Sequence, residues 1–195
     1  MLRFILLGIV ACSSFYVWTI FPINHGPGQL VNTPPTIERL SWEKPFSFKY
    51  STVTPLRKIS GEVRVLKKRR YYFDSKREYS PVDILVGWKE LSDERNLEYL
   101  HFSLSDRYYD LNYSSPPLPL NDVYKQIDLW HLVPSSKEIA KQVKSIREGS
   151  IVEIEGLIVN MEFEDDFPWE SELVNSSRSG QLKTNIIWIN KISIH

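Results

Sequence analysis

The chain has 195 residues, 42% hydrophobic and 25% charged, with 24 Lys or Arg balanced by 24 Asp or Glu. That composition excludes disorder throughout, and zero net charge provides no global field to gather nucleic acid or an anionic surface. The only cysteine, Cys12, lies in an apolar N-terminal run, which excludes an intramolecular disulfide and a cysteine-based metal site.

Phe4 to Ile23 (FILLGIVACSSFYVWTIFPI) carries no charge. Twenty such residues are about the length that crosses hydrocarbon as a helix. Residues 1–23 are therefore expected to form a transmembrane anchor, meeting the lipid bilayer through residues 4–23. Tyr16 and Trp18 suit an interfacial belt. Arg3 precedes the run and no Lys or Arg follows until Arg39, a bias that puts the N-terminus in the cytoplasm. A cleaved signal, a lipoprotein signal ending at Ile9-Val10-Ala11-Cys12 and a buried apolar helix stay open as rivals.

Residues 24–45 (NHGPGQLVNTPPTIERLSWEKP) follow. Five of the chain's 12 prolines fall between Pro22 and Pro45. Such a stretch cannot hold a helix or a central strand, and reads as a semi-extended tether. Residues 46–195 are then a single β-rich soluble domain. Strand patterns occur at Phe46–Val53, at Lys58–Leu66 by alternation, at Val82–Trp88 as a buried apolar run, and at Phe102–Tyr113 with a bulge near Ser105-Asp106. Ser92 can cap a short helix through Leu100. Ser135-x-x-Glu138 is a capping box opening a helix with Ile139, Val143 and Ile146 on one face, stopped by Gly149. Ser150–Val159 and Thr184–Ile194 are strongly β. The expected fold is mainly β (α+β), a small antiparallel barrel or sheet with one or two short helices. The string Gly149-x-x-Val152-x-Ile154-x-Gly156 suits a strand entering a tight, OB-like barrel.

The run Ser80-Pro81-Val82-Asp83-Ile84-Leu85-Val86-Gly87-Trp88, then Leu91-Ser92-Asp93, resembles the SPVDLALGWG-x-MSD motif of a family of small, uncharacterised, membrane-anchored bacterial proteins. Trp130–Pro134 resembles that family's MHLIPA-like string, and Ile146–Gly156 a VRRGDVVRLRG-like string. Trp169, a Ser-Arg-x-Gly turn and an apolar last strand complete the order, so the resemblance covers roughly residues 57–195. The chain departs from the pattern at Lys89, where a second glycine is usual, and in lacking a small-residue and cysteine cluster near the last strand. The resemblance implies architecture and a bacterial envelope address: single-pass in the inner membrane, with the domain in the periplasm. It implies no catalytic residue.

Asp83 lies inside an apolar strand, where a carboxylate needs a partner. It is a candidate acid–base or ligand-binding group beside Trp88. His131, near Asp128, is a candidate for proton transfer. For each, a structural role competes: a carboxylate tied to backbone or arginine, and a histidine fixing its loop. His25, His101 and His195 show no metal-ligand spacing, and no GxSxG, GxGxxG or Walker-type loop is present. No cofactor or metal is implied.

Charge is segregated. Arg57–Arg77 holds nine Lys or Arg, with Lys67-Lys68-Arg69-Arg70 running into Tyr71-Tyr72-Phe73, while Glu148–Ser177 holds nine acids and no base. These stretches read as solvated hairpin tips, as mutually attracting surfaces within or between chains, or as a basic-aromatic contact for lipid headgroups or nucleic acid. The leading expectation is a non-enzymatic, membrane-tethered interaction or accessory module of the envelope. The alternative is a small hydrolase or ligand-binding protein using Asp83 and His131. A weaker one is OB-like nucleic-acid binding through Lys67–Phe73. Asn112-Tyr113-Ser114 and Asn175-Ser176-Ser177 are formal glycosylation sequons.

Overall fold

A computed structural model describes residues 2–172 and 184–195; within the first helix the side chains of 2, 5 and 15–20 are outside the described set. The Ser177–Gly180 turn and the Asn175 sequon fall outside the described residues. The chain begins with α1 (Leu2–Ile20). The helix ends three residues before the expected Ile23, because Pro22 cannot continue it and disfavours helical φ/ψ at Phe21. Phe4, Leu6, Leu7, Ile9 and Val10 are all exposed. Among the described residues no helix is long and apolar enough to cross a membrane.

Five long strands carry the fold: β3 (Ser51–Arg70), β4 (Val82–Gly87), β7 (Ile127–Pro134), β8 (Ile151–Phe163) and β9 (Thr184–Ile194). Their pairings run β3-β4-β7-β9-β8 and return from β8 to β3, so the sheet closes on itself. The β7–β9 pair is parallel and the rest are antiparallel, which corrects the purely antiparallel expectation. The parallel pair follows from the crossover through α4 (Lys137–Ser145) and β8, since parallel neighbours need a long connection. Ser136, not the Ser135 of the expected capping box, caps α4 by accepting from the Ile139 amide, which puts Ile139 rather than Glu138 at the third helical position.

The sequence divides this region into strands at Phe46–Val53 and Lys58–Leu66, whereas the structure divides it at residues 49–50 and joins 51–53 to the longer strand. β3 runs 20 residues by bending at bulges between Pro55 and Arg57 and between Val65 and Lys67. One edge of β3 lies along β8. The other meets β2 (Phe46–Phe48), then β1 (Thr36–Arg39), then β4. Pro55 sits between the β2 and β1 pairings, where no partner asks for its missing N–H. Gly156 stands at a register shift with β9, and a Cβ there would lie 2.3 Å from the Trp188 carbonyl oxygen. Only glycine allows that close approach.

The barrel interior is a close-packed apolar core of Val63, Ile84, Trp130, Leu132, Ile154 and Ile187 among others, with Trp130 fully buried. A second core lies outside β4 and β7. There β5 (Leu100–Ser105) and β6 (Tyr108–Tyr113) form a hairpin whose Phe102, Leu104 and Tyr109 cover Leu85 and Leu129. The strand expected over 102–113 is therefore two strands. Asp106 and Arg107 both have positive φ, as a tight type I′ turn requires. Asp93, not Ser92, caps the short α2 (Glu94–Leu97). With α3 (Leu120–Lys125) and two 3-10 turns, short helices exceed the one or two expected.

The stretch 24–45 is not a free spacer. Ile23 donates to the Glu148 carbonyl at 2.8 Å and His25 Nε2 to the Gly149 carbonyl at 2.8 Å. Gly28 donates to Asp93. The amides of Leu30 and Val31 both donate to Ser92 Oγ, while Lys89 N–H donates to the Val31 carbonyl. Val31 is buried, and Thr36–Arg39 is a strand on β3. Four prolines removed the option of a helix, but an extended segment can still lie on a barrel as a strap.

Candidate functional site

Asp83 and His131 face one another across the β4–β7 ladder. His131 Nδ1 stands 2.9 Å from Asp83 Oδ2. The separation is that of a hydrogen bond, but the ring N–H is not aimed well along it. A proton on Nδ1 makes the contact attractive. Both side chains are almost wholly buried.

Arg107 closes the site. Carried on the β5–β6 turn, its Nη1 donates to Asp83 Oδ1 at 2.8 Å, and its Nη2 donates to the Ser80 carbonyl at 3.0 Å and to Asp74. Its guanidinium lies 3.7 Å from the Tyr71 ring centroid, and His131 stacks on Trp169 at 4.7 Å. Asp74 also caps the turn Ser75–Glu78 through the Lys76 amide. Burial would raise the Asp74 pKa, but the Arg107 hydrogen bond and charge outweigh it and hold it below the ordinary carboxylate range. Burial first, then the Asp83 charge, push the Tyr71 phenol up. A carboxylate, an imidazole and a guanidinium thus meet under a hairpin tip, an arrangement suited to fixing the hairpin to the barrel wall.

The other candidates are placed elsewhere. Asp128 does not meet His131. Three positions apart on a strand, they project from opposite faces. Asp128 Oδ2 accepts from Trp130 Nε1 at 2.8 Å and from Asn185 Nδ2 at 2.7 Å. Trp88 follows the far end of β4 from Asp83, about 16 Å along a strand, so it does not share their site. It lines a cavity of about 460 Å³ with Pro34, Pro35, Ile37, Ile59 and Asp128.

The basic run is largely spent inside the chain. Lys67 pairs with Glu148 at 3.0 Å, and Lys68 Nζ donates to the Lys144 and Ile146 carbonyls at the end of α4. Burial, then Arg70, lower the Lys68 pKa to about 8 against the pull of Glu148. Arg69 donates to the Leu104 carbonyl. Arg70 lies over the Tyr72 ring, and Phe73 is fully exposed. Beside them the acidic stretch comes close: Lys76 sits over Phe163 and Trp169, and a cavity of about 470 Å³ opens between Tyr50, Lys76, Tyr79, Phe163, Glu164 and Asp165. Among the described residues, the ion pair that joins the two segregated stretches is Lys67–Glu148.

Sequence reasoning did not single out Arg107, Asp74 or Ser80. The signal for Arg107 was present: Asp106-Arg107 between two alternating runs is a two-residue hairpin loop. Among the described residues no group of His, Cys, Asp or Glu could hold a metal ion. No family model, curated protein or solved structure matches the chain.

Proposed function

We propose that this chain is a membrane-tethered accessory module of a bacterial envelope: an OB-like barrel that engages a partner protein through one rim. The OB-like reading rests on strand order. Taking β3, β4, β7, β8 and β9 as strands one to five, the third and fifth pair in parallel and a helix joins the third to the fourth. The membrane reading rests on the sequence, on the uncharged run of 20 residues from Phe4 to Ile23. The single-pass, inner-membrane, periplasm-facing address follows from Arg3 and the family resemblance.

The observation that carries the partner reading is the exposed aromatic rim. Tyr50 is 76% exposed and lines the charged cavity beside Lys76, and Tyr72 (57%), Phe73 (100%) and Phe167 (83%) lie on the two segments that supply its Ser75–Lys76 and Glu164–Asp166 walls. Large aromatics rimmed by charge are the chemistry of protein contact surfaces. By contrast, the outer face of strands two and three, which OB-folds use for oligonucleotides, is covered here by the β5–β6 hairpin. The test is capture by the full chain in mild detergent, beside the Tyr72→Ser/Phe73→Ser variant. A partner held by the native chain and lost from the variant is expected. Capture that is absent, or equal for both, overturns the reading.

A further inference from the structure

The strap leaves almost no slack between α1 and the barrel. α1 ends at Ile20, and the Ile23 amide is already bonded to the Glu148 carbonyl. Three residues span at most about 10 Å. Arg147 shortens the junction further: its Nη2 and Nε donate to the Phe21 carbonyl at 2.5 and 3.1 Å, bringing a cation to the C-terminal end of a helix, where cations are favoured. Gly149 has φ +84°, and a Cβ there would lie 1.9 Å from the Ile23 carbonyl oxygen. The contact is backbone on backbone.

The polar layer of one leaflet is about 5–8 Å deep. Resting on the anchor reading above, we propose that the α4–β8 turn, residues 144–149, is the membrane-facing surface of the barrel and contacts anionic phospholipid headgroups. A helix end at the hydrocarbon boundary holds this turn within reach of the headgroups, so the barrel sits on the bilayer with the Phe163 end of β8 away from it. β8 separates the two ends: Ile151 follows the turn, and Phe163 adjoins the rim.

The chemistry of the turn fits that partner. Arg147, Lys144 and Lys67 gather there, with Glu148 paired to Lys67 and Lys68 turned back onto the Lys144 carbonyl. Basic side chains near an anionic bilayer each raise its occupancy about fivefold, within about 10 Å at ordinary salt.

The test uses the full chain with Cys12→Ser, reconstituted in vesicles of phosphatidylcholine alone or with one-third phosphatidylglycerol. A spin label is placed at Ser145→Cys or Phe167→Cys and its depth is read. The Ser145 label is expected in the headgroup layer and the Phe167 label in water. Phosphatidylglycerol should deepen the Ser145 label, and Lys67→Gln/Lys144→Gln should weaken that response about 20-fold in lipid titre. If the chain floats with vesicles but the two labels are equally wet, or lipid charge changes nothing, the contact surface is wrong while the anchor stands. If the chain does not float with vesicles at all, the anchor fails and the contact fails with it.

Discussion

On one face of β4 and β7, Ile84, Trp130 and Leu132 pack into an apolar barrel core. On the other face of the same strands, Asp83 and His131 lie beneath Arg107. The inner face tolerates no polar group without a local partner, and its Asp128 finds Trp130 and Asn185. The outer face would be solvent in a bare barrel. Here it is roofed by a hairpin, fastened by directional bonds to single groups such as the Asp83 carboxylate and the Ser80 carbonyl. Burying one face requires apolar volume. Fastening a second layer at a set position requires a few polar groups whose geometry admits one arrangement.

The largest expected effect breaks the inner face. Trp130→Ala removes the largest fully buried side chain of the barrel and should cost about 3–5 kcal/mol in urea unfolding, with strap and hairpin lost in the same transition. Arg107→Met tests the outer face. It leaves the buried Asp83 without its cation and should cost about 3 kcal/mol. Adding Asp83→Asn should restore part of that loss. A double variant no more stable than Arg107→Met alone would show that the pair does not hold the hairpin.

Acid sharpens the same point. Asp74 has its pKa lowered in the folded state, so its contribution is present above the ordinary carboxylate pKa and is lost as pH falls through the lowered folded value. Acid unfolding should be shallower in Asp74→Asn than in the native chain. Equal pH profiles would remove Asp74 from the clamp.

Gly149→Ala separates strap from barrel. The new methyl meets the Ile23 backbone at a positive φ, and the cost should be about 1–3 kcal/mol. Hydrogen exchange should quicken at the Ile23, Leu30 and Val31 amides before any barrel amide. The smallest effect is a gain. Lys89 occupies φ +52°, so Lys89→Gly should stabilise by about 1 kcal/mol in the same unfolding assay. Its position is also the one where the resembled family carries glycine.

The barrel strands were legible because burial on both faces writes a plain signal. Val82–Trp88 is apolar at nearly every position, and Ile151–Val159 and Thr184–Ile194 are rich in isoleucine and valine. The outer layer was not legible in that way. Residues 102–113 alternate across the turn, so one bulged strand and a two-residue hairpin share a pattern. Proline in 24–45 forbade a helix but could not say whether the segment floats or lies along β3. The Asp83–His131 pairing was half legible: an ionisable residue in an apolar strand demands a partner, yet the partner stands 48 positions away on β7.

By itself, the sequence determined the α4 helix through the spacing of Ile139 and Val143, though not its cap or its last turn, the apolar N-terminal helix, and the β character of everything around Trp130. These follow from local periodicity and from which side chains water rejects. Only the tertiary structure decided that five strands close into a ring with one parallel pair, that the proline-rich stretch is a strap, and that Asp83 meets His131 and Arg107 rather than Trp88. Those outcomes depend on which distant segments come to lie side by side, and register, bulges and a glycine's missing Cβ settle that once the chain has closed on itself.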